Sequence, residues 1–408
     1  MPEYLSPGIY VEEVRSGARP IEMVGTRTAA FIGIAPDSSR FVDTAKPCNN
    51  PSEFERLFNP GGDKDSTVLS RAVHGFFDNG GSRCYVVNIG DKGSVAGDAR
   101  KRSGIHALAG VDEIAMVAAP GYTDADAQEA LLAHCESMGD RFAILDAPED
   151  AKDKPDALKE VASATAAGDA GGDEGESGGR RRKPSGVRPR NSSYGAFYFP
   201  WLIVSDKYSG QHVTQPPSGH LAGVYARTDA LRGVHKAPAN EPIRQALGLT
   251  YQVTHAEQGE LNRSGVNCIR FFSDSGILIW GARTLDDAAS EYRYIPVRRT
   301  MLALKESIQD GTRWAVFEPN DENTWKTVER DIRAFLTLQW RAGALMGTTP
   351  EQAFYVKCDA ETNPQEVIDA GQMVTEIGVA PVKPAEFVIF RISQWSGEAA
   401  EAAVEAEV

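Results

Sequence analysis

Three short segments of the chain carry the residue types of a hydrolytic triad. Asp146 ends one apolar stretch, His220 lies within Ser218-Gly219-His220-Leu221-Ala222-Gly223, and two hydroxyls follow in Gly347-Thr348-Thr349-Pro350. In such a triad the acid orients the histidine, the histidine accepts a proton, and the hydroxyl attacks a carbonyl carbon. Threonine occupies the nucleophile position here without the sequence context of a reactive serine, so the signal for this chemistry is weak.

The segment around His220 resembles the histidine segment of subtilisin-type proteases, with Asp146 and Thr348 in that family's chain order. The resemblance is incomplete, because Pro148 stands where that family has the glycine that closes the aspartate's turn. The sequence contains no G-x-x-x-x-G-K-[ST], no H-E-x-x-H and no G-x-S-x-G motif. A subtilisin-like hydrolase, degenerate or active, is one alternative for the function, and no cofactor or metal is expected.

A row of cations on a predicted helix is a second candidate surface. The pattern over 322–346 predicts the longest helix of the chain, capped by Asp321 or Asn323 and stopped at Gly347. At about 100° per residue, one face of this helix is apolar. That face comprises Trp325, Val328, Ile332, Phe335, Leu336 and Met346. The opposite face carries Lys326, Arg330, Arg333 and Arg341 in a narrow arc without an acid. This cation stripe predicts either a solvated face or a contact with an acidic partner.

Both ends of the chain carry apolar strand candidates. They comprise Ile9, Tyr10, Val11 and Val14 at one end, and Phe387, Val388, Ile389, Phe390 and Ile392 at the other. Pro381 and Pro384 stiffen the approach to the second strand. A strand that is apolar on both faces needs cover on both. It is therefore either the last strand of the chain's own sheet or an arm that adds to the sheet of a neighbouring molecule.

The elements that position these residues alternate between strand and helix. Buried strands are predicted at 29–35, 84–89, 114–118 and 142–145, with helices at 66–77 and 127–138. Further on, the patterns predict one aromatic strand at 194–204, loops to residue 248, a strand at 276–281, a helix at 298–310 and a strand at 314–317. The early alternation predicts the α/β class, with a mostly parallel sheet.

Composition excludes several functional classes. The chain has 408 residues, 41% of them apolar and 25% charged, and a net charge of −14. These values predict two or three soluble domains and argue against a nucleic-acid binder. No signal-peptide pattern opens the sequence, and no apolar run approaches a membrane span, so direct membrane insertion is not expected. Five dispersed cysteines indicate reduced core thiols of a cytosolic protein.

One stretch lacks any apolar periodicity. Residues 167–190 are rich in glycine and acids and then contain Arg180-Arg181-Arg182-Lys183. Because the acids and the basic run neutralise one another, this stretch predicts a solvated, mobile surface insertion rather than a binding site. A protease is expected to cut it first.

In their order, the remaining segments resemble the contractile tail sheath proteins of phages and phage-tail-like injection systems. The matching N-terminal and middle motifs are 4–14, 28–33, Phe76-Phe77-Asp78-Asn79-Gly80-Gly81, 217–223 and Ala237-Pro238-Ala239-Asn240. The C-terminal motifs are Trp280-Gly281-Ala282-Arg283-Thr284, Phe317-Glu318-Pro319-Asn320-Asp321, Gly347-Thr348-Thr349-Pro350 and 379–394. Each motif alone is weak, but their combination is specific, and the insertion is the main departure from the family pattern.

The resemblance implies a structural subunit and not an enzyme. Identical subunits would form a helical sleeve around an inner tube, bounded by baseplate and terminal cap proteins, with terminal arms that join the sheets of neighbours. The sleeve would assemble in the cytoplasm and contract to drive the tube through a target envelope, whether or not the finished particle is released. The central α/β domain would be subtilisin-like without that activity. An adhesin-type binding module is the non-enzymatic alternative.

The resemblance also implies an organisation of the chain. It comprises an N-terminal arm (1–20), an outer α/β domain (21–265), an inner sheath domain (266–380), a C-terminal strand arm (381–395) and an acidic tail (396–408). We add the prediction that the cation stripe faces the inner tube.

Overall fold

The computed structural model describes residues 20–62, 65–162 and 186–391. In chain order the strands are β1 (Ala29–Gly33), β2 (Lys46–Cys48), β3 (Cys84–Asn88), β4 (Met116–Ala118), β5 (Phe142–Asp146), β6 (Gly195–Phe199), β7 (Leu202–Ser205), β8 (His212–Gln215), β9 (Glu241–Pro242), β10 (Ala246–Leu249), β11 (Val266–Phe272), β12 (Gly276–Ile279), β13 (Phe354–Lys357) and β14 (Glu376–Val379). The α-helices are α1 (Pro51–Phe58), α2 (Val68–Asp78), α3 (Ala125–Met138), α4 (Ser218–Arg232), α5 (His255–Arg263), α6 (Ile295–Gly311), α7 (Glu322–Arg341), α8 (Pro350–Ala353) and α9 (Gln365–Asp369).

The largest sheet orders its strands β2-β3-β1-β4-β5-β6-β11-β12-β9. The neighbours from β3 to β11 are parallel, and the strands at both ends pair antiparallel. This parallel centre with helical connections confirms the predicted α/β class. The boundary predicted at residue 265 falls inside the sheet, because β11 pairs with β6.

Apolar side chains cover both faces of this sheet, as the unbroken apolar runs of its parallel strands require. On one face, Phe31 of β1 packs against Phe76 of α2 with ring centroids 5.4 Å apart. On the other face, Ile32 belongs to a core that includes Leu131 and Leu132 of α3. Successive residues of one strand therefore supply two different cores, as the alternation of side chains along a strand requires.

Two glycines of α4 allow this helix to approach α2 closely. A Cβ atom at Gly219 would lie 2.6 Å from Cα of Ala72, and one at Gly223 would lie 2.3 Å from the carbonyl oxygen of Phe76. Both distances are far below a normal non-bonded contact. The glycines that gave this segment its protease-like pattern are therefore explained by backbone-to-backbone packing.

A third core joins the C-terminal elements. Val328, Ile332 and Phe335 of α7 pack there with Leu304 of α6 and Phe354 of β13. Strands β13 and β14 form a separate two-stranded antiparallel sheet beside this core. The apolar face predicted for the long helix is thus confirmed, except for Met346, which lies beyond the helix and is exposed.

Several predicted elements differ from the observed ones. The single strand expected at 194–204 is two strands, β6 and β7, and the loop region expected before residue 248 contains helix α4. The strand expected at 314–317 is instead a 3₁₀ turn, Arg313–Ala315, followed by Phe317 at φ 69°. Helix α7 ends at Arg341 and not near Gly347, because Gly343 adopts a left-handed conformation at φ 82°.

Most of the predicted insertion lies outside the described residues. Its last part, 186–190, lies against the body of the molecule, where Arg188 is buried. The Arg188 guanidinium donates to the carbonyl oxygens of Ser264 and Leu285 and to the side chain of Asn191. These bonds hold that end of the predicted range in place.

Candidate functional site

The structure does not bring the triad residues together. The Asp146 carboxylate accepts hydrogen bonds from the backbone N–H and hydroxyl of Ser218, at 2.8 and 2.7 Å, and from the N–H of Gly121. His220 lies two residues further along α4, about 200° around the helix axis, with its ring against Gly75. Thr348 donates to Gln352 beside the third core. Asp146 is thus a buried partner for the first turn of α4, and not the orienting acid of His220.

The ionisation of these two groups fits burial better than catalysis. Burial raises the pKa of Asp146 to about 6, against the lowering effect of its hydrogen bonds from Ser218 and Gly121. Burial lowers the pKa of His220 to about 4. The histidine is therefore neutral at pH 7, and its Nδ1 atom has no hydrogen-bond partner among the described residues.

Replacing His220 with asparagine is expected to make the fold less sensitive to acid. The pKa of His220 is about 4 in the folded chain and about 6.5 in an unfolded one, so the unfolded state binds more protons between these values. The free energy of unfolding of the wild type therefore decreases as the pH is lowered through this window. His220 alone accounts for about 2 kcal/mol of the decrease between about pH 7.5 and about pH 5. Urea unfolding at both pH values measures it, with His212→Asn on exposed strand β8 as control. An unchanged pH dependence of the His220 variant would contradict this assignment.

The C-terminal strand candidate is solvent-exposed. Phe387, Val388, Ile389 and Phe390 are 70, 70, 80 and 83% exposed. They form no strand with other described residues. Four consecutive exposed apolar side chains are unusual for a soluble monomer. Ile392 and the N-terminal candidates Ile9, Tyr10, Val11 and Val14 lie outside the described residues.

The two-stranded sheet leaves one edge open. The N–H of Ala380 donates to the carbonyl oxygen of Ala353 at 2.9 Å. Because backbone groups alternate between the two edges of a strand, Ile377 and Val379 direct theirs to the opposite edge. No described strand pairs with that edge. The outer edge of β13 is partly occupied, because the Arg333 side chain donates to the carbonyl oxygen of Val356 at 3.3 Å.

The cation stripe is exposed on α7, but acids accompany it. The ion pairs are Lys326–Glu322 at 2.5 Å, Arg330–Asp331 at 3.1 Å and Arg333–Glu329 at 3.1 Å. The arc itself contains no acid, but acids that flank it reach its cations. The pairs of Lys326 and Arg333 are solvent-exposed and contribute on the order of 0–1 kcal/mol each, so these two cations can exchange partners at little cost. The Asp331 side chain is only 9% exposed, so Arg330 pairs with a buried carboxylate.

Two buried ion pairs escaped the sequence analysis. Arg299 of α6 donates to both carboxylate oxygens of Asp229 in α4, at 3.0 and 2.7 Å. Arg283 likewise donates to both oxygens of Glu386, at 2.9 and 2.7 Å. The partners are 70 and 103 residues apart in the chain. No local pattern brings such residues together before the topology is known.

All five cysteines are buried and free, which confirms the prediction of unpaired core thiols. Across the described ranges, no group of three or more His, Cys, Asp or Glu side chains could hold a metal ion. Within the same part of the chain, no helix is both long enough and apolar enough to span a bilayer.

Comparison of the sequence with known proteins identifies phage tail sheath proteins along most of the chain. Residues 100–285 match the family profile of the phage tail sheath protein central domain, and residues 287–394 match that of the phage tail sheath C-terminal domain. The tail sheath protein of Vibrio phage KVP40 is 31% identical over 197 residues, which are 48% of this chain and 28% of that protein. The tail sheath protein of Salmonella phage ViI is 25% identical over 274 residues, 66% of this chain and 42% of that one. The chain thus spans less than half the length of these phage relatives.

Solved structures match over nearly the whole chain. A chain of the anti-feeding prophage (AFP) baseplate, solved by cryo-EM, is 31% identical with a TM-score of 0.72, covering 96% of this chain and 100% of its own. A chain of the PVC sheath complex, an extracellular contractile injection system in the contracted state, is 29% identical with a TM-score of 0.74, covering 98% and 100%. The crystal structure of a sheath tail protein from Listeria innocua, 11% identical with a TM-score of 0.56 over 90% of this chain and 96% of its own, shares the fold.

Proposed function

Because this chain belongs to the phage tail sheath family, we propose that it is a sheath subunit of a contractile, phage-tail-like injection device. Its subunits polymerise as a helical sleeve around an inner tube, and contraction of the sleeve drives the tube through a target envelope. The whole-length similarity to the AFP and PVC chains carries the proposal.

Strand exchange between copies holds this sleeve together. The exposed run Phe387–Phe390 supplies an apolar strand, and the free edge of β14 supplies unpaired backbone groups at Ile377 and Val379. A strand added there would gain main-chain hydrogen bonds and cover for its apolar side chains. The N-terminal segment around Ile9, Tyr10, Val11 and Val14 serves as a second arm of the same kind.

The cation stripe meets acids of the inner tube. Reversing Lys326 and Arg341, which are both exposed, to glutamate is expected to weaken co-assembly with tubes while sparing polymers formed without a tube. Each contact is weak, but every subunit repeats it, and a lattice of weak contacts can hold and still release. Arg333 is left intact because it also bonds β13, and Arg330 because it pairs with the buried carboxylate of Asp331. Co-sedimentation with purified tubes at low and high salt measures the loss of tube binding. High salt should weaken tube binding by the wild type in the same way, because it screens the charges.

Arg313→Glu is the matched control for this test. Arg313 also pairs with an acid, Asp310, and its side chain is 66% exposed, but it lies outside α7. Equal tube binding by the stripe variant and the wild type at low salt would exclude the stripe as the tube contact.

The chain is a structural protein and not a hydrolase in this proposal. The supporting observations are that the Asp146 carboxylate accepts hydrogen bonds from Ser218 and that His220 is neutral and packs separately.

The domains of the sheath subunit follow from its sheets and cores. The third core with β13 and β14 forms the inner domain. The nine-stranded α/β sheet, which the resemblance makes subtilisin-like, forms the outer domain. The partners of the protein are further copies of the chain, the tube protein, and baseplate and terminal cap proteins. Assembly takes place in the cytoplasm, before any release of the particle.

Electron microscopy of the purified chain tests the proposal directly. A sheath subunit should form tubular polymers or sheets when concentrated, with or without inner tubes. A hydrolase or an adhesin-type module should remain as discrete particles. Discrete particles at every concentration, with and without tubes, would contradict the proposed function.

A further inference from the structure

Among the described residues beyond Val382, the C-terminal segment is held to the rest of the chain through the carboxylate of Glu386. Glu386 Oε1 accepts from Asn262 Nδ2 at 2.6 Å and from Arg283 Nε at 2.9 Å. Its Oε2 accepts from Arg283 Nη2 at 2.7 Å and from the Tyr294 hydroxyl at 3.1 Å. The Arg283 and Glu386 side chains are only 10 and 17% exposed. The next residue, Phe387, is 70% exposed, so the change from attached to free chain occurs within one residue.

The socket that receives Glu386 is held in place by contacts within the main body of the chain. Asn267, fully buried in β11, accepts from the backbone N–H of Arg283 and donates to its carbonyl oxygen, both at 2.7 Å. The Arg283 guanidinium also donates to the carbonyl oxygen of Asn262, in the last turn of α5, at 3.0 Å. Tyr294 directly precedes α6. Three parts of the main body thus place the donors, and little ordering remains when Glu386 binds.

Glu386 is ionised in this socket at neutral pH. Burial by itself would raise the pKa of Glu386, but the hydrogen bonds and charge of Arg283, with the bonds from Asn262 and Tyr294, outweigh it and lower the pKa. An ionised carboxylate with two parallel guanidinium bonds is a strong and directional contact. Its geometry therefore orients the chain as well as holding it.

The proline-containing linker is fixed at both ends. Pro381 pairs with Leu345, and the N–H of Val382 donates to the carbonyl oxygen of Ala344 at 3.1 Å. Glu386 fixes the other end. Only Lys383, Pro384 and Ala385 lie between these attachments. The prolines therefore cannot set the reach of the arm while Glu386 is bound, and the free arm begins at Phe387.

We propose that the Glu386–Arg283 contact is the anchor from which the C-terminal arm leaves its subunit, and that it sets the reach and register of the strand donated to a second copy of this chain. This inference rests on the proposed function, because it requires that the strand be donated. Glu386 and Arg283 are positioning residues, since they act on the donated strand through the chain that joins it to its own subunit. They shorten the mobile part of the arm and so lower the conformational entropy that assembly must remove.

Glu386→Gln and Arg283→Met test the anchor in the full-length chain. Both variants should show faster amide hydrogen exchange at Val382 in the monomer, because its N–H, which donates to the carbonyl oxygen of Ala344, would then lie at the base of a free arm. Peptides elsewhere in the chain should exchange as in the wild type. Both should also raise the critical concentration for polymerisation by about tenfold or more, because three or more additional residues must be ordered on assembly. Arg283→Lys, which keeps the charge but loses the paired geometry, should fall between them and the wild type.

Glu361→Gln is the matched control, because it removes a carboxylate from the exposed pair with Lys357. Wild-type exchange at Val382 together with a wild-type critical concentration in Glu386→Gln would overturn the anchor. If wild-type chains formed no polymer, the proposed function would fail, and the exchange measurement would still decide whether Glu386 holds the segment.

Discussion

Replacing Phe387 and Ile389 with aspartate is expected to give a folded monomer that no longer polymerises. These side chains are 70 and 80% exposed, so the change removes almost no packing from the subunit itself. In a donated strand, by contrast, both positions lie on one face and become covered. Burying an unpaired carboxylate costs several kcal/mol, so two of them should raise the critical concentration by at least about a thousandfold. Sedimentation and electron microscopy measure assembly, and circular dichroism with thermal unfolding reports on the fold.

A matched variant separates this effect from the added charge alone. Leu231 and Leu247 are also exposed apolar residues, 74 and 54% accessible, but they lie on α4 and β10, away from the C-terminal segment. Leu231→Asp with Leu247→Asp adds the same two charges and should leave polymers intact. Sleeves of normal appearance from the Phe387 and Ile389 variant at wild-type concentration would remove the arm from the assembly mechanism.

Local patterns in the sequence were sufficient for elements with a clear period. Strands such as β1, β3 and β5 are short apolar runs ended by turn residues, and α3 and α6 lie within a few residues of their predicted ranges. The apolar face of α7 was predicted correctly because five of its six proposed residues recur at helical spacing and are buried. In these elements, local propensity and tertiary environment favour the same structure.

Helix α4 was missed because it has almost no polar face. Its residues from Ser218 to Thr228 are all buried, so no amphipathic period marks it. The spacing of Gly219 and Gly223 was the available signal, since glycines four residues apart lie on one helix face. That signal was attributed to the protease resemblance. The same segment shows why a short motif needs its structural context before it can indicate chemistry.

The functional surfaces were predicted only in part, for a related reason. The exposed C-terminal run and the cations of α7 are visible in sequence because their residues are neighbours in the chain. The acids that pair with those cations lie just outside the arc, and side-chain length decides whether they reach. The Glu386 socket draws on residues from three separate segments, 262, 283 and 294. Only the folded topology brings them together.

Arg299→Met is expected to destabilise the fold by about 3–5 kcal/mol, the usual cost of removing one partner from a buried ion pair. The Arg299 and Asp229 side chains are 3 and 1% exposed. Arg299 also donates to the carbonyl oxygen of Thr26, and its guanidinium lies 4.9 Å from the ring centroid of Tyr225. Methionine would fill much of the space but leave Asp229 buried, with the Thr26 hydroxyl as its only remaining side-chain donor among the residues that the structure describes. Urea unfolding of the monomer, under conditions that prevent polymerisation, measures the loss.

The unpaired carboxylate of Asp229, rather than the missing contacts of Arg299, should account for most of this loss of stability. If so, adding Asp229→Leu to Arg299→Met should recover much of the stability, because replacing both charges with apolar groups removes the unpaired carboxylate. Arg313→Met, at an exposed ion pair with Asp310, is the matched control and should cost no more than about 1 kcal/mol. A double variant as unstable as Arg299→Met alone would mean that Arg299 acts mainly through Thr26 and Tyr225. A fully stable single variant would mean that α4 and α6 are held together by their apolar contacts without this pair.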